Sequence, residues 1–444
     1  MGDGVKRACR SMRGRIRTGP RFQRGGAFHR TVFPGNGPSK PLLRACIVGI
    51  LFVLSSAPGE ARDWTAEVDR LAGKGAVIAS KPGGAPLVSH HPDIPLVPAS
   101  ILKILTASVA LEELGPDFRF ATVFRCTPEG DLLVSGQGDP HLVSEELARI
   151  GQNLRSRGLR RVRHLLLDNG YFEPGLVLHG TRKSLNPYDA YNGALCVNFN
   201  TVYVRVDRAG HVTSAEPQTP LTDLAIRAAR ESGVTGKVRI NLAQSPARCL
   251  RYAGELLKAF LEQAGVSVTG EVKRADQDPE LLPEFYVHRS QWTLLELLEK
   301  MFQYSNNFMA NQIFLTLGAS RFGLPATPEK ARNAVGAFLK DLGVNDLHVE
   351  EGSGLSRRTR VTARQMMQVL RRFQPHRHLL PCEGRVYAKT GTLHDVRSLA
   401  GYLMSQEGEP VSFVILLNGD GIGDRKRERI LSLLTRGVAR QAEE

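Results

Sequence analysis

The chain has 444 residues, 42% hydrophobic and 23% charged, with a formal net charge of +15. That length exceeds one ordinary core, so two domains or more are expected. The absence of low-complexity tracts and repeats excludes a disordered or fibrous protein. The charge is unevenly placed. Residues 1–44 hold eleven of the 59 basic side chains and one of the 44 acidic ones, and residues 45–61 hold only Glu60. Residues 62–444 are left with 48 basic and 42 acidic side chains, about +6, which excludes nucleic-acid binding as the reading of the excess.

Residues 1–61 read as a secretory leader. A basic stretch ends at Arg44, an apolar run follows from Ala45 to Val53, and Ala57 or Ala61 offers a small-residue cleavage position. The run is short for a bilayer span. Cys46 opens it instead of closing it, which argues against lipidation. The expected destination is the periplasm or the outer face of the cytoplasmic membrane, with peripheral membrane contact left open. Cys126, Cys196, Cys249 and Cys382 then remain, as disulfides or as buried apolar residues. No CxxC or CxxH spacing is present, and the pairs His90-His91 and His376/His378 lack a carboxylate framework, so no metal or other cofactor is expected.

Beyond the leader, residues 63–72 have the pattern of a short amphipathic helix. Residues 75–80 and 86–90 flank Lys81-Pro82-Gly83-Gly84 as a hairpin. Residues 98–114 are apolar nearly all round, the mark of a buried helix. From 126 to 283 short strand-like runs (132–134, 164–167, 201–206, 237–242) alternate with turns rich in Gly, Pro and Asn. This stretch is expected to be an inserted, mainly β domain. Residues 292–317 form a second apolar helical stretch, broken around 304–307. Residues 385–392, 397–405 and 411–418 should form an antiparallel meander. A helix over 424–442 closes the chain, with Ile430, Leu431, Leu434 and Val438 facing either the sheet or a membrane surface. One catalytic domain is thus expected from residues 62–125 and 284–444, holding 126–283 as the insert.

Three motifs carry the chemistry. In Ser100-Ile101-Leu102-Lys103, positions three apart share a helix face, so Ser100 and Lys103 point into the same space. At a helix start the free N–H groups favour developing negative charge. In a desolvated site the lysine loses its proton more easily and can act as a base toward the serine hydroxyl. A serine N-cap followed by a surface lysine would give the same four residues. Ser305-Asn306-Asn307 interrupts an apolar helix. Placed opposite Ser100, Ser305 can pass a proton to a leaving amine and Asn307 can bind an amide carbonyl; a plain helix–helix turn is the alternative, and Ser184-Leu185-Asn186 shows that the pattern also arises elsewhere. Lys389-Thr390-Gly391-Thr392 ends a strand. Its edge can hold an extended peptide, with Gly391 leaving room for the peptide backbone. Lys389 supplies positive charge there, and the hydroxyls of Thr390 and Thr392 can bind a terminal carboxylate. The backbone N–H groups of Ser100 and Thr392 form the expected oxyanion hole.

With these motifs the chain resembles the penicillin-recognising serine enzymes. Among them it is similar to the class C low-molecular-mass penicillin-binding proteins, the D-alanyl-D-alanine carboxypeptidase/endopeptidase family (peptidase family S13). The resemblance covers nearly all of residues 70–420. It is carried also by Ser135-Gly136-Gln137-Gly138-Asp139-Pro140, by Leu167-Asp168-Asn169-Gly170-Tyr171-Phe172, by residues 192–200 and by Gly352-Ser353-Gly354-Leu355-Ser356-Arg357. The gaps between motifs, 205 residues and then 84, fit a family with an insertion after the first motif. The resemblance implies an α+β, penicillin-binding-protein/β-lactamase-like transpeptidase domain, a five-stranded antiparallel sheet flanked by helices, with a mainly β inserted domain. It implies serine carboxypeptidase or endopeptidase action on peptidoglycan peptides with D-Ala-D-Ala ends or diaminopimelate cross-links, and covalent inhibition by β-lactam antibiotics. Asp168 and Arg357 fall at positions that hold the diaminopimelate side chain in some members, although Asn169-Gly170 varies the family pattern. Two rivals share some of these features. A serine β-lactamase has the three motifs, but no E-x-x-L-N follows the second. A non-catalytic peptidoglycan-binding scaffold would not require intact motifs.

Overall fold

The computed structural model describes residues 63–440 apart from 183, 243, 244 and 277. The leader and its cleavage positions lie outside the described residues.

The two ends of the chain build one sheet. Its strands run in the order Cys382–Glu383, Val386–Leu393, Val396–Met404, Pro410–Asn418, Ala76–Ser80, Pro86–His90, all antiparallel. Five of these were expected, and the two-residue strand at the edge is an addition. The hairpin Ala76–Ser80/Pro86–His90 closes over Lys81-Pro82-Gly83-Gly84, and its first strand pairs with the far end of the sequence, Val77 opposite Ile415. One face of the sheet is covered by helices Trp64–Ala72 and Asp424–Arg440. Ile430, Leu434 and Val438 are buried there with Val77 and Phe413, so the apolar stripe of the last helix packs on the sheet and is not available to a membrane. No described helix is long and apolar enough to cross one.

The other face carries the larger core. A short 3-10 helix, Ala99–Leu102, runs directly into Lys103–Glu113, whose first nine residues are all buried. A helix of that composition is stable only inside a protein, because no polar face is left for water. Around it pack Leu294–Tyr304, Asn307–Phe322, Pro328–Asp341 and Ala363–Phe373.

A second core lies between these two halves. Its five-stranded sheet has the order Val272–Arg274, Leu165–Asp168, Leu132–Gly136, Ala121–Cys126, Glu284–Arg289, with the first two pairings parallel. Beside it stands a three-stranded sheet, Val212–Ser214, Thr201–Val206 and Gly236–Asn241. Two expectations need correction. The borders 126 and 283 fall inside this packing, since Ala121–Cys126 and Glu284–Arg289 both belong to the second sheet and the chain crosses between cores near 120 and 290. The inserted stretch also carries three helices, Ser144–Ser156, Asp223–Ser232 and Pro246–Gln263. The last buries Tyr252, Leu256, Leu257 and Phe260 on one face, a 3.6-residue period that the flanking turn residues had masked.

Candidate active site

The serine turn is held in place before any charge is considered. Val97 and Asn418 exchange two hydrogen bonds (2.8 and 3.1 Å), and the Pro98 carbonyl accepts from Ser398 Oγ at 2.6 Å. Ala99 then adopts φ +50°, a left-handed conformation that costs an L residue about 1–2 kcal/mol. Two glycines press on this strained turn. A Cβ on Gly354 would lie 1.9 Å from the Ala99 carbonyl oxygen; one on Gly391 would lie 2.1 Å from Ser398 Oγ and 2.7 Å from the Pro98 carbonyl oxygen. The space beside Gly391 is therefore filled by the serine's own segment, not reserved for a peptide backbone as the sequence suggested.

Lys103 is wholly buried, and its Nζ touches three oxygens: Ser100 Oγ at 3.0 Å, Asn307 Oδ1 at 2.7 Å and the Ser353 carbonyl at 2.8 Å. Burial pushes its pKa well below the usual lysine range; the neighbouring Lys389 charge pushes the same way and Glu351 opposes it. The three contacts have different chemistry. A protonated ammonium can donate to all three, whereas a neutral amine has two N–H bonds and one lone pair. A carbonyl and an amide oxygen only accept. Ser100 is the one partner able to donate back, so loss of the lysine proton turns the Ser100 hydroxyl toward Nζ.

The carbonyl of Ser353 is aimed by Glu351, a residue the sequence reading passed over although it precedes the Gly352–Arg357 signature. Its side chain is fully buried and accepts from Ser353 N (2.8 Å), Ser353 Oγ (2.6 Å), Gly354 N (2.7 Å) and Ser356 N (3.2 Å). Gly352 is tied on both sides, its N–H to Asn311 Oδ1 at 2.8 Å and its carbonyl to Thr106 Oγ1 at 2.7 Å.

The second motif breaks the helical run through its own capping chemistry. Ser305 ends Leu294–Tyr304 in the left-handed region (φ +50°), and Asn306 caps Asn307–Phe322 by accepting from Met309 N at 3.0 Å. The break brings Ser305 and Asn307 to the cleft that Ser100 lines.

The third motif lies on the outer part of the sheet. Lys389 is 2% exposed, donates to the Thr390 carbonyl at 2.8 Å, and has its pKa lowered to about 8, first by burial and then by Arg427. Thr390 and Thr392 alternate with it on the exposed face, and Thr392 lines the cleft. The short strand Cys382–Glu383 pairs only with Tyr387 and Val386, so no described strand covers the outer edge from Lys389 onward.

The cleft itself has a volume of about 970 Å³ and joins all three motifs at Ser100, Ser305, Asn307 and Thr392. Arg357 lines it too, held by Asp395 through two hydrogen bonds (3.0 and 2.5 Å). Asp168 does not line it. Its carboxylate accepts from Gly170 N at 2.8 Å within its own turn. One wall, unforeseen from sequence, comes from the inserted stretch: His179, Gly180, Thr181, Arg182, Tyr188 and Asp189. Among the described residues no three His, Cys, Asp or Glu side chains converge as metal ligands.

A serine at a helix start, a buried lysine one turn on, a polar helix break opposite and an antiparallel sheet edge define the fold shared by penicillin-binding proteins and serine β-lactamases. Comparison with known proteins narrows this to one group. Residues 62–382 and 371–437 match the model of the D-Ala-D-Ala carboxypeptidase 3 (S13) family, to which the chain belongs. A D-alanyl-D-alanine carboxypeptidase of an Actinomadura species is 30% identical, with 85% of each chain covered. One from Haemophilus influenzae is 25% identical over 74% of this chain and 82% of that protein. The crystal structure of penicillin-binding protein 4 from H. influenzae superposes with a TM-score of 0.70 at 21% identity, covering 84% of this chain and 99% of that one.

Proposed function

We propose that this chain is an exported serine peptidase that hydrolyses the D-Ala-D-Ala bond of peptidoglycan stem peptides and the D-Ala–diaminopimelate cross-link, and that β-lactams acylate the same serine. The carrying observation is the Lys103 amine, buried and bonded to three oxygens of which only Ser100 can give up a proton. Family membership and the two carboxypeptidase relatives support the substrate class.

Ser100 Oγ attacks the carbonyl carbon of the penultimate D-Ala while its proton moves to Lys103 Nζ. The developing oxyanion is met by the N–H groups of Ser100 and Thr392, each worth about 3 kcal/mol. Collapse of the tetrahedral intermediate breaks the C–N bond, and the leaving amine takes a proton through Ser305 Oγ. Water then attacks the Ser100 ester, releases the shortened peptide and restores the hydroxyl. The Thr390 and Thr392 hydroxyls hold the terminal carboxylate on the exposed face of the strand, the buried Lys389 ammonium adds positive charge from the opposite face, and the uncovered strand edge aligns the peptide. Asn307 orients both Lys103 and the substrate amide.

The test is labelling by a fluorescent penicillin together with digestion of purified muropeptides. Wild-type protein should form a stable adduct and release D-Ala. Ser100→Ala should do neither while melting as wild type, because Lys103 is the one hydrogen-bond partner of Ser100 Oγ among the described residues. Rapid nitrocefin turnover without a lasting adduct would favour a β-lactamase instead.

A further inference from the structure

The inserted stretch contributes a cation to the cleft that the proposed chemistry does not use. Five basic side chains line this cleft. Arg357 is neutralised by Asp395, and Arg397 is held by Asp424 and by the carbonyls of Leu393 and Val396. His179 bonds Ser356 Oγ at 2.8 Å, and His394 sits at the tip of the hairpin. Arg182 differs from the other two arginines. Its guanidinium is exposed and has no hydrogen bond or ion pair among the described residues. Asp189, the only acidic residue on the cleft wall among the described residues, is buried and held within the loop: its oxygens accept from the Arg182 backbone N–H (3.1 Å) and from Ser184 Oγ (2.5 Å).

Described residues on both sides of Arg182 are also anchored. Asn241 donates to the carbonyls of Ser184 (2.9 Å) and Leu185 (3.0 Å), which ties the loop to the three-stranded sheet. On the other side Gly180, at φ +99°, packs so closely that a Cβ would lie 2.7 Å from Ser356 N. An arginine with anchored residues before and after it, facing a substrate cleft and lacking a carboxylate partner among the described residues, is placed to take one from a ligand.

Resting on the peptidase reading, we infer that Arg182 is a specificity residue that binds a carboxylate of the stem peptide on the acyl side of the scissile bond. In a carboxypeptidase substrate the leaving side is a single D-Ala, whose carboxylate is taken up at the Lys389–Thr392 edge. Whatever reaches the wall built by residues 179–189 therefore belongs to the acyl side. A γ-linked D-glutamyl residue and a diaminopimelyl side chain each present such a carboxylate, and synthetic peptides separate the two.

The experiment uses the full protein and its Arg182→Ala and Arg182→Lys variants. The substrates are the stem pentapeptide, the same peptide amidated at the glutamyl α-carboxylate, and the same peptide amidated at the diaminopimelyl side-chain carboxylate. Wild type should prefer the unamidated peptide by about 10- to 100-fold in kcat/KM over the one amidated at the recognised position, mostly through KM. Arg182→Ala should collapse that ratio to about 1, and Arg182→Lys should restore part of it. The amidation that removes the preference identifies the carboxylate. Equal losses on all three peptides, or no loss on any, would overturn the assignment. Acylation by benzylpenicillin is followed in parallel. If wild-type protein fails to acylate, the peptidase reading falls, and this inference with it; if it acylates and shows no preference, only the inference falls.

Discussion

Gly354→Ala should disarm the serine without altering any charge or hydrogen-bonding side chain in the site. The added methyl would start 1.9 Å from the Ala99 carbonyl oxygen and 3.2 Å from Leu102 Cβ. Protein Cβ atoms do not approach another heavy atom closer than 3.0 Å, so the Ala99 carbonyl must retreat by about 1.1 Å. It cannot retreat alone: Pro98 is held by Ser398 and Val97 by Asn418, so the displacement passes into Ser100. A shift of about 1 Å in a reacting group costs roughly 100-fold in rate. Gly354 sits at φ +85°, and the left-handed alanine adds about 1 kcal/mol to the roughly 1–3 kcal/mol of overpacking. The assay is the second-order rate of penicillin acylation, measured well below the lowered melting temperature. Gly336→Ala is the control: that glycine is exposed in the helix Pro328–Asp341 with nothing within 4 Å of the new methyl. It should gain about 1 kcal/mol in stability and acylate at the wild-type rate. Acylation by Gly354→Ala within threefold of wild type would refute the argument that this glycine sets the position of Ser100.

The pH profile should have two limbs. As pH falls, Lys103 takes up a proton and the acylation rate drops; as pH rises through about 8, Lys389 loses its charge and KM for peptides with a free terminal carboxylate rises, while kcat changes little. A KM that is flat between pH 7 and 9.5 would exclude Lys389 as the carboxylate's partner. The same Lys389 gives a stability effect of definite sign. Its folded pKa lies below the unfolded value, so the unfolded chain binds more protons between about pH 8 and 10.5, and this residue's contribution to stability increases across that window; Lys389→Met should flatten the slope in urea melts. Glu351→Gln removes the buried negative charge that favours the protonated lysine, so the acid limb of acylation should move to lower pH. It also places an amide N–H₂ against backbone donors that now meet a carboxylate, with a stability loss of about 2–4 kcal/mol by thermal denaturation. An acid limb that stays in place, or moves up, would show that Glu351 does not act on Lys103.

Much of the catalytic half was legible because its signals are local. The hairpin closes over Lys81-Pro82-Gly83-Gly84, the meander follows from three strand-like runs with short turns, and Ser305-Asn306-Asn307 breaks a helix by its own capping preferences. The inserted half was less legible. Its sheet joins strands from positions 121–126, 132–136, 165–168, 272–274 and 284–289, and nothing in a single strand says which sheet will receive it. Glu351 and Arg182 were missed for a related reason. A lone acid before a glycine, and a lone arginine in a turn, acquire meaning only from neighbours far away in sequence. Asp168 shows the converse, since its place in a recognisable pattern implied a substrate contact, while the structure leaves it outside the residues that line the cleft and bonded within the turn at Gly170.

What the sequence determined by itself is the set of reactive groups and their local spacing. A helix puts Ser100 and Lys103 on one face whatever surrounds them, and a strand puts Thr390 and Thr392 on the face opposite Lys389. What only the tertiary structure decided is their protonation and aim. Lys103 is a candidate base because four helices and a sheet strip it of water, and because Asn307, 204 residues away, and Ser353, 250 residues away, occupy its remaining donors. Desolvation and hydrogen-bond direction are properties of a packed interior, and no stretch of chain carries them alone.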